Sequence, residues 1–315
     1  MLLEELQKPY GALLMEVEER IRSVLLAGAQ EDLARLIQAA PIHGGKKIRS
    51  TFLFMMLPTR KKDLTSAAVE LAAAVEMLHQ ASLIHDDVLD HSQIRRDQPT
   101  LHRQVDNTRA VLVGDYMFMR AFELVLKLRR FDLMHSLQAA SCRLVSGQIV
   151  DMKPALEHVC SFEAYLDVLK AKTGALFAAA AEIAALLKNL SEEEISDHKR
   201  FGLSVGVLFQ LQDDVLDLFS VKTGKDRWSD VREEKWTLPT LLLREREPDL
   251  DIFPFHEGKV CRIEEALKRH DILRDCREII DRYRQQTLSW LDGLNPKEMD
   301  DNIPGLIDYV CRRER

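Results

Sequence analysis

The string DDVLD occurs twice in this chain, at Asp86–Asp90 and again at Asp213–Asp217. Each copy carries carboxylates at i, i+1 and i+4 inside an apolar stretch with helical spacing. On a helix, i and i+4 stack on one face. Like charges stacked this way repel, so stability alone would disfavour the pattern. A divalent cation removes the repulsion, and hard carboxylate oxygens suit Mg²⁺. The chain must therefore fold so that two acidic helix faces are used together. Set opposite each other, they make a metal-filled jaw for a diphosphate.

The rest of the chain reads as helix. Only 10 prolines and 13 glycines interrupt it, and 46% of its residues are hydrophobic, enough for a sizeable core. Helical spacing predicts segments at 4–26 (perturbed at Pro9), 31–39, 48–57, 107–128, 132–151 and 162–187. A long helix should open with Asp63 as its N-cap and run to about His91. Ser191 and Glu194 have capping-box spacing and should open a helix reaching Phe219. Shorter helices are expected at 238–246, 262–268, 272–291 and 296–312. No Pro/Ser-rich linker divides the chain, so residues 1–315 are expected to form one all-α domain, a helical bundle. The flanks of the two DDVLD strings differ, which argues for two facing helices rather than an internal repeat.

A formal charge of −7 argues against nucleic acid as a partner. Five scattered cysteines lack metal-ligand spacing and read as reduced thiols of a cytoplasmic protein. Glutamates stand near the N-terminus where a signal peptide needs basic residues. The most apolar run, 176–187, is broken by Glu182 and is too short for a bilayer. No transmembrane segment is expected.

An acidic chain that binds diphosphate needs local cations, and they sit near the acidic clusters. Arg95 and Arg96 follow the first, and guanidinium forks match phosphate oxygens. Upstream, GGKKIRS places Lys46, Lys47 and Arg49 behind Gly44 and Gly45, whose backbone N–H groups are open to an anion. Lys170, Lys172 and Thr173 lie between the clusters, and Lys225 and Lys235 follow the second.

In these motifs, from Gly44 to Pro239, the chain resembles the trans-isoprenyl (polyprenyl) diphosphate synthases, in particular their medium- and long-chain members. ASLIHDDVLD, the arginine pair, VLVGDYMFMRAFEL, KTGALF and FQLQDDVLDLF follow one another in the family's order. The resemblance implies an isoprenoid-synthase helical bundle around a central cavity. It implies Mg²⁺, three ions per active site, held by Asp86, Asp87, Asp90, Asp213, Asp214 and Asp217. It implies head-to-tail condensation of isopentenyl diphosphate with an allylic diphosphate primer. The allylic C–O bond ionises, the isopentenyl double bond attacks the cation, and a proton is lost to the released pyrophosphate. By the same resemblance, Gly45, Lys46, Arg49, His79 and Arg96 bind isopentenyl diphosphate. Arg95, Lys172, Lys225 and Lys235 assist with the allylic diphosphate, and Thr173 and Gln210 sit beside the cation. The Arg312–Arg313 pair resembles a basic tail that closes over the site. A homodimer is implied as well.

Three positions depart from the family: Asp97 and Glu234 where glycine is usual, and Ser50 where proline is usual. The two extra carboxylates either weaken phosphate binding or point to solvent. The allylic tail should run from Asp86 toward the helix N-terminus, past Ser82 and Ala81. Short-chain members carry aromatic residues there, whereas here both are small. Leu78, Met77 and Val75 are expected as the floor, with Met117, Met119 or Phe122 from the next helix. Each five-carbon unit gains roughly 4 kcal/mol of burial at about 0.8 kcal/mol per CH₂, and a product longer than about fifteen carbons, about thirty to forty, is expected. Geranylgeranyl diphosphate synthase, the catalytic subunit of a heteromeric synthase and a terpene cyclase remain as alternatives. The retained Asp213, Asp214 and Asp217 weigh against the last.

Overall fold

Why the helices stop where they do is mostly local. In the computed structural model, which describes residues 2–42, 44–58, 62–152, 161–220, 228–295 and 298–313, Pro9 splits the first predicted helix. It becomes α1 (Leu3–Gln7), a 3₁₀ turn at Lys8–Tyr10 and α2 (Gly11–Leu26). Helices α3 (Glu31–Ala39), α4 (Ile48–Met55), α5 (Lys62–Leu89) and α6 (Leu101–Gln104) follow. Asp63 lies inside the first turn of α5 rather than capping it. After α7 (Asn107–Lys127) and α8 (Phe131–Asp151) come α9 (Phe162–Leu169) and α10 (Ala175–Leu187). The one long helix expected at 162–187 is thus divided by a π-helical turn, Lys170–Gly174.

Helix α11 (Glu192–Phe219) opens with the predicted box: Glu194 N donates to Ser191 Oγ at 3.3 Å, and Ser191 N to Glu194 Oε2 at 2.9 Å. The rest comprises α12 (Ser229–Arg232), α13 (Leu238–Arg246), α14 (Val260–Arg269), α15 (Ile272–Asp292) and α16 (Ile303–Arg312). Two short strands, β1 (Ile94–Arg95) and β2 (Gln98–Pro99), pair antiparallel with Arg95 opposite Gln98.

The core is one continuous apolar cluster. α5 packs on α7, α2 and α4, and α10 packs on α11, α8 and α4. Small residues let α10 and α11 approach closely. A Cβ on Gly206 would lie 2.6 Å from Gly174 Cα, and one on Gly202 would lie 2.5 Å from Phe177 O. Residues 66–89 of α5 are long and apolar enough to cross a bilayer, a stretch the sequence reading passed over in favour of 176–187. However, most of this stretch is buried inside the molecule, as in a core helix. Cys142, Cys261, Cys276 and Cys311 are free thiols; Cys160 lies outside the described residues.

Candidate active site

The two acidic clusters end α5 and α11, and cations stand between them. Asp87 is buried and accepts from Arg95 Nε at 2.7 Å. Asp90 pairs with Lys235 Nζ at 3.2 Å. Lys235 also lies 2.5 Å from Glu233 and 3.8 Å from Asp151, and Lys172 lies 2.7 Å from Asp151. Burial opposes the charge on Lys172 and Lys235, yet the surrounding carboxylates raise both ammonium pKa values above the ordinary one. Burial raises the Asp86 pKa, and the nearby Lys172 charge partly offsets this. Asp151, the last residue of α8, was missed in the sequence. It lies far from either motif and only the fold brings it to both lysines.

Across the cleft, Asp213 pairs with Arg313 Nη2 at 2.7 Å. Arg313 lies over the Phe209 ring at 3.7 Å and donates to Phe209 O at 2.8 Å. The expected basic tail therefore rests on the second cluster through Arg313. Asp214 accepts from Gln210 Nε2 at 2.9 Å and from Tyr165 Oη at 2.5 Å. Asp217 is turned to another task. It accepts from Ser229 Oγ at 2.5 Å and from the backbone N–H groups of Ser229 and Asp230 at 3.2 and 3.3 Å, holding the start of α12. Asp230, also unforeseen, has its carboxyl pKa pushed well up by burial and then by Asp217 and Asp214.

Donor chemistry fits a hard divalent cation: Asp90 sits just past the end of α5, its N–H bonded to Asp86 O one turn back, and the charges now balancing Asp90 and Asp213 are the ends of long side chains. Among the described residues, no three acidic, thiol or imidazole groups form a ready metal cluster.

The glycine–basic loop is held from below. Gln7 Nε2 on α1 donates to Lys46 O at 2.6 Å and to Thr51 Oγ1 at 2.8 Å, and Thr51 Oγ1 donates to Lys47 O at 2.8 Å. Gly44 takes φ +83°, a left-handed conformation open to glycine. Gly45 makes room for Arg96: a Cβ there would lie 2.7 Å from Arg96 Nη2. Arg49 is buried, 5.0 Å from the Phe177 ring centroid and 6.0 Å from that of Phe209, and its Nε has no hydrogen-bond partner among the described residues. Burial and the charges of Arg49, Arg96 and Arg95 hold His79 well below the usual imidazole pKa, so it is a neutral donor.

Each departure has a local explanation. Arg96 (φ 53°) and Asp97 (φ 61°) are the two central residues of the β1–β2 hairpin, which requires positive φ at both. Asp97 is exposed. Glu234 (φ 55°) sits just past α12, where Glu234 N bonds Val231 O and Lys235 N bonds Asp230 O, a Schellman closure. Ser50 gives Glu76 two bonds, from its N–H at 3.2 Å and its Oγ at 3.1 Å, which a proline could not make.

Thr173 and Gln210 meet: the Thr173 hydroxyl donates to Gln210 Oε1 at 2.7 Å. Ala81 and Leu78 are fully buried, and Ser82 is buried with its Oγ donating to His79 O at 2.8 Å. Met77, Val75 and Met117 are fully buried too, but Met119 is 64% exposed, so it does not form a floor within this chain. Lys225 lies outside the described residues.

Residues 30–254 match the family model described as polyprenyl synthetase. The chain is 31% identical over 293 residues to a geranylgeranyl diphosphate synthase of Methanosarcina mazei, covering 83% of this chain and 90% of that one. It is 30% identical over 312 residues to heptaprenyl diphosphate synthase component 2 of Geobacillus stearothermophilus, covering 92% and 96%. A solved polyprenyl synthase from Caulobacter crescentus, complexed with calcium and isoprenyl diphosphate, superposes with a TM-score of 0.88 at 27% identity, over 100% of this chain and 98% of that one. With twin aspartate clusters, the ordered basic motifs and this all-α fold in agreement, the chain belongs to the polyprenyl synthetase family and is a prenyltransferase.

Proposed function

We propose that the chain condenses isopentenyl diphosphate head-to-tail with an allylic diphosphate, releasing pyrophosphate and a trans-polyprenyl diphosphate longer than about fifteen carbons, about thirty to forty at roughly 4 kcal/mol of burial per unit. The observation that carries it is the meeting of Asp151, Asp214, Lys172, Lys235, Thr173 and Gln210 around one cleft.

Arg95, Lys172, Lys235 and, from the segment outside the described residues, Lys225 hold the allylic diphosphate. Gly45, Lys46, Arg49, His79 and Arg96 hold isopentenyl diphosphate, with neutral His79 donating a hydrogen bond. Asp86, Asp87, Asp90, Asp213, Asp214 and Asp217 would hold Mg²⁺, three ions per site, which would supply charge neutralisation for the leaving pyrophosphate. Asp90 and Asp213, now paired with Lys235 and Arg313, would be among the carboxylates that hold those ions. The Thr173 and Gln210 oxygens face the developing cation, the direction in which a fixed dipole helps most. Small Ala81 and Ser82 pass the growing tail along α5 toward Leu78.

The chain works in the cytoplasm as a homodimer. Leu112, Met119 and Leu126, seven apart on α7, Val145 and Ile149 on α8, and Met152 just past it are all exposed and support a second copy as partner.

The test is an incubation of the purified chain alone with Mg²⁺, isopentenyl diphosphate and allylic primers, with product length read out. A linear product longer than farnesyl diphosphate is expected. A cyclic hydrocarbon would replace this reading with a terpene cyclase. Activity only after adding a second protein would make the chain a heteromer's catalytic subunit, a role in line with the relative named as component 2.

A further inference from the structure

A buried hydrogen-bonded chain runs behind the cation site. The Thr173 hydroxyl donates to Gln210 Oε1 at 2.7 Å, and Gln210 Nε2 donates to Asp214 Oδ1 at 2.9 Å. Tyr165 Oη then donates to Asp214 Oδ2 at 2.5 Å. Tyr165 (3% exposed), Asp214 (4%) and Thr173 (6%) are all buried. Tyr165 comes from α9, Thr173 from the π turn, and Gln210 and Asp214 from successive turns of α11.

The order of donors and acceptors in this chain is not interchangeable. A carboxylate only accepts, an amide has one donor end and one acceptor end, and a hydroxyl has one proton and two lone pairs. With Asp214 taking the Gln210 NH₂, the Gln210 oxygen must face Thr173. Thr173 then spends its one proton on Gln210, and both its lone pairs stay free for positive charge. If Gln210 flipped, its NH₂ would occupy one of those lone pairs and the Thr173 proton would point elsewhere. The flip is blocked only while Asp214 is held in place, and Tyr165 holds its second oxygen.

We propose that Tyr165 is a positioning residue for the condensation, which through Asp214 and Gln210 fixes the lone pairs of Thr173 toward the allylic cation. Beside the ion-holding role proposed for the cluster, Asp214 also orients dipoles and Asp217 also anchors α12, each carboxylate oxygen having more than one lone pair. This rests on the prenyl-transfer reading above, and turnover by the unmodified chain tests that reading separately.

The experiment measures Tyr165→Phe, Thr173→Val and the double variant in the full chain. Tyr165→Phe should lower kcat about tenfold, in the range seen when a supporting hydrogen bond behind a site is removed. The KM for both diphosphates and the half-saturating Mg²⁺ concentration should stay unchanged, and Thr173→Ser should keep most of kcat. In the Thr173→Val background, Tyr165→Phe should cost less than about twofold, because both act through one oxygen. Unchanged kcat in Tyr165→Phe, independent losses that multiply in the double variant, or recovery at high Mg²⁺ would overturn the proposal. If Tyr165→Phe does not fold, judged by thermal unfolding, Tyr165→Met, which also lacks the hydroxyl donor, replaces it in the same cycle. Multiplying losses there overturn the proposal equally.

Discussion

Glu234 and Ser50 are departures from the family, and their environments make opposite demands. Glu234 holds φ 55° at the Schellman position of α12, a conformation that costs a non-glycine residue about 1 kcal/mol. Glu234→Gly should therefore raise stability by about 1 kcal/mol in a urea unfolding series, and a loss would contradict the strain argument. Ser50→Pro would also restore the family residue. Here it strips two donors from buried Glu76, whose charge lies near Arg49. It should cost about 1–3 kcal/mol in the same series; a neutral result would mean that Glu76 finds other partners. Gln7 is a third case. It touches no expected substrate atom, yet it pins the backbone of the Gly44–Lys47 loop. Gln7→Ala should raise the KM for isopentenyl diphosphate several-fold with kcat nearly kept, whereas a loss confined to kcat would contradict that role.

At the scale of elements, helix existence was legible and the joints were less so. Periodicity placed α3, α11 and α13 to the residue, because each has a strong apolar stripe or a cap such as the Ser191–Glu194 box. The π turn at Lys170–Gly174 was invisible, since a π turn leaves the apolar pattern almost unbroken. It is nevertheless what places Lys172 toward Asp151 and Thr173 toward Gln210. The motif residues were readable, but their partners Asp151, Tyr165 and Asp230 were not, because those contacts join distant helices. The α10–α11 joint makes a testable demand of its own. Lys188, which ends α10, has a buried side chain 3.0 Å from His198 Nε2, and burial pushes its ammonium pKa down to about 8. The unfolded chain then binds more protons between pH 8 and the ordinary 10.5. The destabilisation is fully present below pH 8 and fades as pH rises through that window. The stability difference between Lys188→Met and the unmodified chain should shift by roughly 2–3 kcal/mol from pH 7 to pH 10.5, in favour of the unmodified chain. A pH-independent difference would contradict this.

Over the whole molecule, the helices serve to bring two acidic ends together. The proposed path of the tail makes α5 a ruler: Ala81 is fully buried on it, one helical turn and a residue from Asp86. Ala81→Phe should shorten the product, as read in a chain-length assay, and an unchanged length would place the tail elsewhere. The central claim is that both clusters act on one diphosphate during condensation. The most direct measurement is pyrophosphate release against isopentenyl diphosphate consumed, in the unmodified chain, Asp86→Asn and Asp213→Asn. One pyrophosphate per unit consumed is expected, with each substitution lowering the rate by about 10²–10³-fold, as for loss of a group that stabilises transition-state charge. Pyrophosphate release without consumption of isopentenyl diphosphate, or full activity in either variant, would contradict it.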